Sequence, residues 1–226
     1  MFVFATIIAF QLFLAFLLLL LVSVSVPITK SIFLFRLTAD VGSDFLSTNA
    51  HGSVKFGLWG YCLSAIDFSV LAFEHSTTAS CSDVHLGYTF DDTIASALHV
   101  SKYEHLISRV TTAALVIHPI SAALSFLALV FSLLLFRAGS KHYVKRCTLA
   151  CLVTASIAAV LGTIVFIVDA ALIATIRHEL AHITDNVLSL GWGSAVWLTL
   201  AAVMALWGAV ITTSFALRRK LWRSRY

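Results

Sequence analysis

His178-Glu179-Leu180-Ala181-His182 is a literal H-E-x-x-H sequence. On a helix this spacing sets two imidazoles one turn apart, where they can share Zn²⁺ while the glutamate acts as general base. The rest of that chemistry is missing from the chain. Asp185 stands where a metzincin has glycine, no histidine follows His182, and no other apolar stretch offers the distant aspartate of an intramembrane metalloprotease. The expected role of the segment is a polar helix end, with no catalytic residue and no cofactor. Metal binding by His178 and His182 is the lesser alternative. Seven histidines, His51, His75, His85, His99, His105, His178 and His182, fall in the segments expected to be outer. Imidazole changes charge near about pH 6.5, so such a set facing the medium is suited to reporting ambient pH. The competing reading is ordinary exposed or packed histidine.

These groups are few because the chain is 60% hydrophobic and only 12% charged, with a mean hydropathy of +0.96. That is far more apolar surface than one soluble core can bury, so the excess must face lipid. A helical crossing needs roughly 20 apolar residues, and backbone inside the bilayer must satisfy its own hydrogen bonds. Four runs are long enough. The organisation read from them is helix 1 over 1–26, an outer domain over 27–109, helix 2 over 110–136 and an inner loop over 137–146. Helix 3 then spans 147–176, an outer loop 177–190, helix 4 191–217, and a basic inner tail 218–226. The small residues Val22-Ser23-Val24-Ser25 also suit a signal-peptide cleavage point, but the length of the run and the lack of a positive segment before it favour a retained anchor.

Orientation follows from the loops. Arg137, Lys141, Lys145 and Arg146 share a connector without acids, and Arg218, Arg219, Lys220, Arg223 and Arg225 follow the last run. Both should be cytoplasmic, with the two termini, by the positive-inside bias. Every Asp and Glu falls in the outer loops except Asp169. The net charge of +4 therefore reports orientation and the anionic inner leaflet, not nucleic acid.

The connector before helix 2 is too long for a plain loop and is expected to be a folded unit. Val54 to Leu63 and Phe68 to Phe73 read as strands, and a helical pattern begins near Asp92 and runs on towards helix 2. Cys62 and Cys81 are the only cysteines in this connector, and in an oxidising compartment one disulfide is expected rather than two free thiols. Cys147 and Cys151, one turn apart after Lys145-Arg146, suit palmitoylation or, more simply, packing. Thr154, Ala158 and Gly162, and likewise Ala201, Ala205 and Ala209, form small-residue stripes that let helices approach closely in lipid. His118 and Asp169 lie roughly 10 to 12 Å below the outer surface at about 1.5 Å per residue, which suggests an intramembrane polar pair or shared pocket. The alternative is that His118 bonds locally beside Pro119 while Asp169 reaches the interface.

Gly57-Leu58-Trp59-Gly60-Tyr61-Cys62, with Cys81 following, resembles the G-L-W-x-x-C…C signature in the first extracellular loop of claudin-like tetraspan proteins. Phe56 before it, Leu86-Gly87-Tyr88, Leu115-Val116-Ile117-His118-Pro119-Ile120 and Gly193-Ser194-Ala195-Val196-Trp197-Leu198 are similar to the fungal PalI group of the Sur/PalI family. The resemblance implies a four-helix transmembrane bundle with a small β-containing extracellular domain between helices 1 and 2. It also implies a non-enzymatic plasma-membrane accessory that assists ambient-pH signalling beside a multi-helix sensor. The alternative it carries is a claudin-like organiser of membrane domains or cell cortex that self-associates. A zinc metalloprotease resting on His178 to His182 is a remote third reading. Membrane lipids are expected partners in every case.

Overall fold

The computed structural model describes residues 2–26, 29, 31–43, 48–57, 59–63, 66–70, 73–77, 81, 104–137, 141–183 and 188–223. Four long helices occur among them: α1 (Phe2–Ser23), α2 (Glu104–Arg137), α3 (Lys141–Ile183) and α4 (Ser194–Arg223). Each contains a stretch long and apolar enough to cross a bilayer, Val3–Ser23, Val116–Arg137, His142–His178 and Ser194–Arg218. At about 1.5 Å per residue α3, with 43 residues, is roughly twice as long as a hydrocarbon core is thick, so its ends project beyond the lipid. The chain divides into two compact units, one of Met1–Ser23, Ile117–Phe166 and Leu198–Tyr226, the other of Val24–Val116 and Ile167–Trp197.

The first unit is held by a seam of alternating three- and four-residue steps. On α1 the buried positions are Ile8, Leu12, Ala15, Leu19 and Val22; on α4 they include Ala202, Leu206, Ala209 and Thr213. This is the knobs-into-holes period of a left-handed bundle. Cys151, Ala155, Ala158 and Ala159 of α3 join the same cluster. On the other sides Phe10 and Phe13, Val153 and Ile157, and Met204, Ile211 and Phe215 are exposed, as lipid contact requires. Of the small-residue stripe expected on the last helix, Ala209 is buried and Ala205 packs half-buried against the core beside Ala202 and Leu206, whereas Ala201 is exposed.

Polar side chains cross between helices inside this seam. Ser121 Oγ of α2 donates to the Ala158 carbonyl of α3 at 3.2 Å, and Cys151 Sγ reaches the Ala128 carbonyl at 3.5 Å. Trp207 Nε1 of α4 donates to Thr163 Oγ1 at 3.1 Å. Thr212 Oγ1 of α4 lies 3.1 Å from Gln11 Oε1 of α1, and a Cβ at Gly208 would meet Gln11 Nε2 at 2.8 Å. Gln11 thus fits against α4 because Gly208 has no side chain. Interhelical hydrogen bonds in lipid contribute about 0.6 to 2 kcal/mol each. Gln11→Leu is therefore expected to lower the melting temperature of the detergent-solubilised protein, with Thr212→Val adding little to it; additive losses would show that the two side chains do not act together.

The second unit is a sheet. Five strands lie between α1 and α2: β1 (Phe35–Ser43), β2 (Thr48–Phe56), β3 (Tyr61–Leu63), β4 (Ile66–Val70) and β5 (Phe73–Thr77). A sixth, β6 (Leu188–Trp192), precedes α4. The order is β5-β4-β2-β1-β6, with β3 also paired to β2. Two strand assignments from sequence are corrected. Val54 to Leu63 is not one strand, because the chain turns back between Phe56 and Tyr61, and Phe68 to Phe73 is divided between β4 and β5. The start of helix 4 is corrected as well, since Gly191 and Trp192 end β6 and the helix begins at Ser194. The helical pattern near Asp92 lies outside the described residues.

Register sorts the side chains by face, because directly opposite residues share one side of a sheet. Trp192, Phe35, Phe56 and Tyr61 form one cross-strand row, and Leu190, Leu37, Val54 and Leu63 form the next row on the same face. The Phe35 and Phe56 rings stack at 4.6 Å. On the opposite face stand Arg36 and Lys55, then Thr38 and Ser53, and the register continues with Asp40 opposite His51 and His51 opposite Asp67. Such alternation, apolar on one side and polar on the other, is the signature of a half-buried antiparallel sheet. The pairing of β2 with β4 is shifted one residue from its pairing with β3, so an extra residue is accommodated between those two strands.

Candidate functional site

The strap that follows α1 is held by backbone bonds from two directions. Leu34 N–H donates to the Phe56 carbonyl at 2.7 Å and Trp59 N–H donates to the Val26 carbonyl at 3.2 Å, tying the strap to the end of β2. Gly193 N–H donates to the Leu34 carbonyl at 2.8 Å, Ala195 N–H to the Phe33 carbonyl at 3.1 Å, and Ser194 Oγ to the Ser31 carbonyl at 3.1 Å. Those bonds tie it to the start of α4. Val26 and Leu34 are buried, so their main-chain polar groups need such partners.

Glycine makes the approach possible at two places. A Cβ on Gly57 would overlap the Val26 side chain and carbonyl, and one on Gly193 would overlap the Phe33 and Leu34 carbonyls. Gly57 N–H closes the turn onto the Gly60 carbonyl at 2.9 Å, and the chain then enters β3. There Cys62, which is buried, forms a disulfide with Cys81, 19 residues later and exposed. The Gly57-x-Trp59 element is thus a knot that pins the strap at Val26 to the sheet, beside the Cys62–Cys81 disulfide. Leu58 lies outside the described residues.

A family model described as the SUR7/PalI family matches residues 1–208, which covers the knot, the sheet and most of the four helices. The chain belongs to the SUR7/PalI family. No curated protein matches it. Membership in SUR7/PalI agrees with a multi-pass membrane protein of four apolar helices and an intervening sheet.

The remaining residues singled out in this SUR7/PalI chain are placed as follows. His118 on α2 and Asp169 on α3 are each almost fully buried, at 1% and 3% exposure, and they belong to different units. His118 shares its helix face with Ser121 and Ser125, so the interior face of α2 is markedly polar beside Pro119. Cys147 and Cys151 are both buried, and Cys151 packs on α2. The H-E-x-x-H segment is the last turn and a half of α3 and not a connector beyond it, a correction to the expected end of helix 3. His178 is exposed, and the side chains of Glu179 and His182 lie outside the described residues. Among the described residues no group of three His, Cys, Asp or Glu side chains is arranged to hold a metal. His85 and His99 lie outside the described residues, His75 is on β5, and His105 is on α2.

Sequence reasoning missed Gln11, Val26, Phe33, Arg36, Lys55 and Gly193 as structural positions. Two signals were available. Gln11 interrupts an apolar run, and Phe35-Arg36-Leu37-Thr38-Ala39-Asp40-Val41 alternates with strand period. Gly193 opened a family-like motif, but its structural role did not show there, since what it meets lies on the strap far away in sequence.

Proposed function

We propose that this chain is a non-enzymatic accessory protein of the plasma membrane that assists ambient-pH signalling by positioning or stabilising a membrane sensor. Family membership, the four spans and the knotted sheet support that reading. The observation that carries the pH part is a register row. His51 of β2 stands opposite Asp40 of β1 on one side and Asp67 of β4 on the other, with Ser76 of β5 opposite Asp67. A cross-strand imidazolium is attracted by carboxylates at the neighbouring positions, and the attraction fades when the ring is neutral.

The small residues Ala158, Gly162 and Ala209 are already used inside the bundle. A partner then contacts the sheet or the large outward side chains of the helices. The sheet faces the medium and both termini lie in the cytoplasm in this reading, in accord with the basic loops. Affinity purification from native membranes at two external pH values tests it. A multi-helix protein should co-purify in amounts that change with pH, and His51→Gln should flatten that change while the disulfide still forms. Recovery of the chain with only copies of itself at both pH values would favour the organiser instead, and metal-dependent proteolysis the hydrolase.

A further inference from the structure

The polar face of the sheet is basic where it meets the strap. Arg36 and Lys55 are directly opposite one another in the β1–β2 ladder, an arrangement of like charges that costs stability unless something offsets it. Both converge on one ring: Arg36 Cζ lies 5.6 Å and Lys55 Nζ 5.4 Å from the centroid of Phe33. The ring face steadies both cations but neutralises neither.

The height of this cluster is set by backbone bonds. Phe33 accepts a hydrogen bond from Ala195, in the first turn of the span Ser194–Arg218, and Arg36 is the register partner of Gly191, just before that span. The cluster therefore lies at the end of a membrane crossing, at headgroup level. Trp192 and Trp197 are exposed on either side of the same helix start, as interfacial anchors are.

We propose that Arg36, Lys55 and Phe33 form a site for the phosphate of an anionic phospholipid. Guanidinium and ammonium donate charge-assisted hydrogen bonds to the phosphate oxygens, and the Phe33 edge meets the first methylenes of the lipid. An oxyanion between the two cations removes the repulsion built into the ladder. The shared chemistry is phosphate, and the source committed to is the bilayer, because the cluster is placed at its surface.

The full chain in mixed phosphatidylcholine–phosphatidylserine nanodiscs, extracted gently and weighed by native mass spectrometry, tests this. Wild type should retain phosphatidylserine preferentially. Arg36→Gln with Lys55→Gln should lower that preference roughly 30-fold, the effect of two headgroup-level cations. Thr38→Ala with Ser53→Ala, the neutral pair next along the same ladder, should leave it unchanged. Formation of the Cys62–Cys81 disulfide, read on a non-reducing gel, shows that the double variant is folded. Equal retention by wild type and double variant would overturn the proposal. Displacement of the lipid by an equal concentration of inorganic phosphate would overturn the lipid as the source.

Discussion

Gly193→Ala is expected to remove most of the folded protein from a detergent extract. The added methyl has no free volume, since the atoms it meets are the carbonyls of Phe33 and Leu34 and not the flexible end of a side chain. Relief requires the strap to move away, which breaks the bonds from Gly193 to Leu34 and from Ala195 to Phe33. Overpacking a filled site costs about 1 to 3 kcal/mol, and lost buried hydrogen bonds add to it. That is a large share of the roughly 5 to 15 kcal/mol that holds a domain together. Gly57→Ala should behave alike, because the Val26 backbone is its obstacle. Gly191→Ala is the control. Its Cβ would lie 3.8 Å from the Arg36 carbonyl, an ordinary contact, so it should be nearly neutral. Monodisperse yield and melting temperature of the three variants decide the matter, and equal behaviour of Gly191→Ala and Gly193→Ala would refute the close-approach argument.

Cys62→Ala with Cys81→Ala is expected to cost about 3 kcal/mol, the chain-entropy value for closing a loop of this length. Cys62 pairs with Lys55 of β2 in the ladder and with Cys81 in an isolated bridge, so the bond fixes residue 81 to β3. Thermal melts with and without reductant, alongside mass shifts from thiol alkylation, measure the effect. Wild type should fall to the level of the double variant when reduced, and the double variant should ignore reductant. The helical signal should persist in both, because the seam of α1, α3 and α4 is apolar packing that no disulfide supports. A fully reduced wild type that melts unchanged would mean that the bond contributes nothing.

Features legible in the sequence share one property: their signal is local. A run such as Phe2 to Val22 needs no partner to declare itself, because its length matches a bilayer and its composition excludes water. Val165, Asp169 and Ile173 are buried at helical spacing, so Asp169 is on the interior side of its helix as an intramembrane carboxylate should be. The Gly57 to Cys62 motif was legible as a signature, but its purpose was not. Only the fold shows that its glycine lets the chain cross Val26.

The sheet marks the boundary between the two kinds of information. Leu188 to Trp192 alternates, but over only five residues beside a membrane helix, too short a pattern to separate strand from helix there. It becomes β6 because β1, far away in the chain, offers an open edge in register with it. The adjacency of Arg36 and Lys55, the two aspartates beside His51, the fit of Gln11 against Gly208 and the demand for glycine at 193 arise in the same way. Composition and run length by themselves determined that the chain crosses the membrane four times and carries a cysteine pair outside the spans. Tertiary structure decided which residues meet, because a hydrogen-bond register or a helix contact is a relation between distant segments.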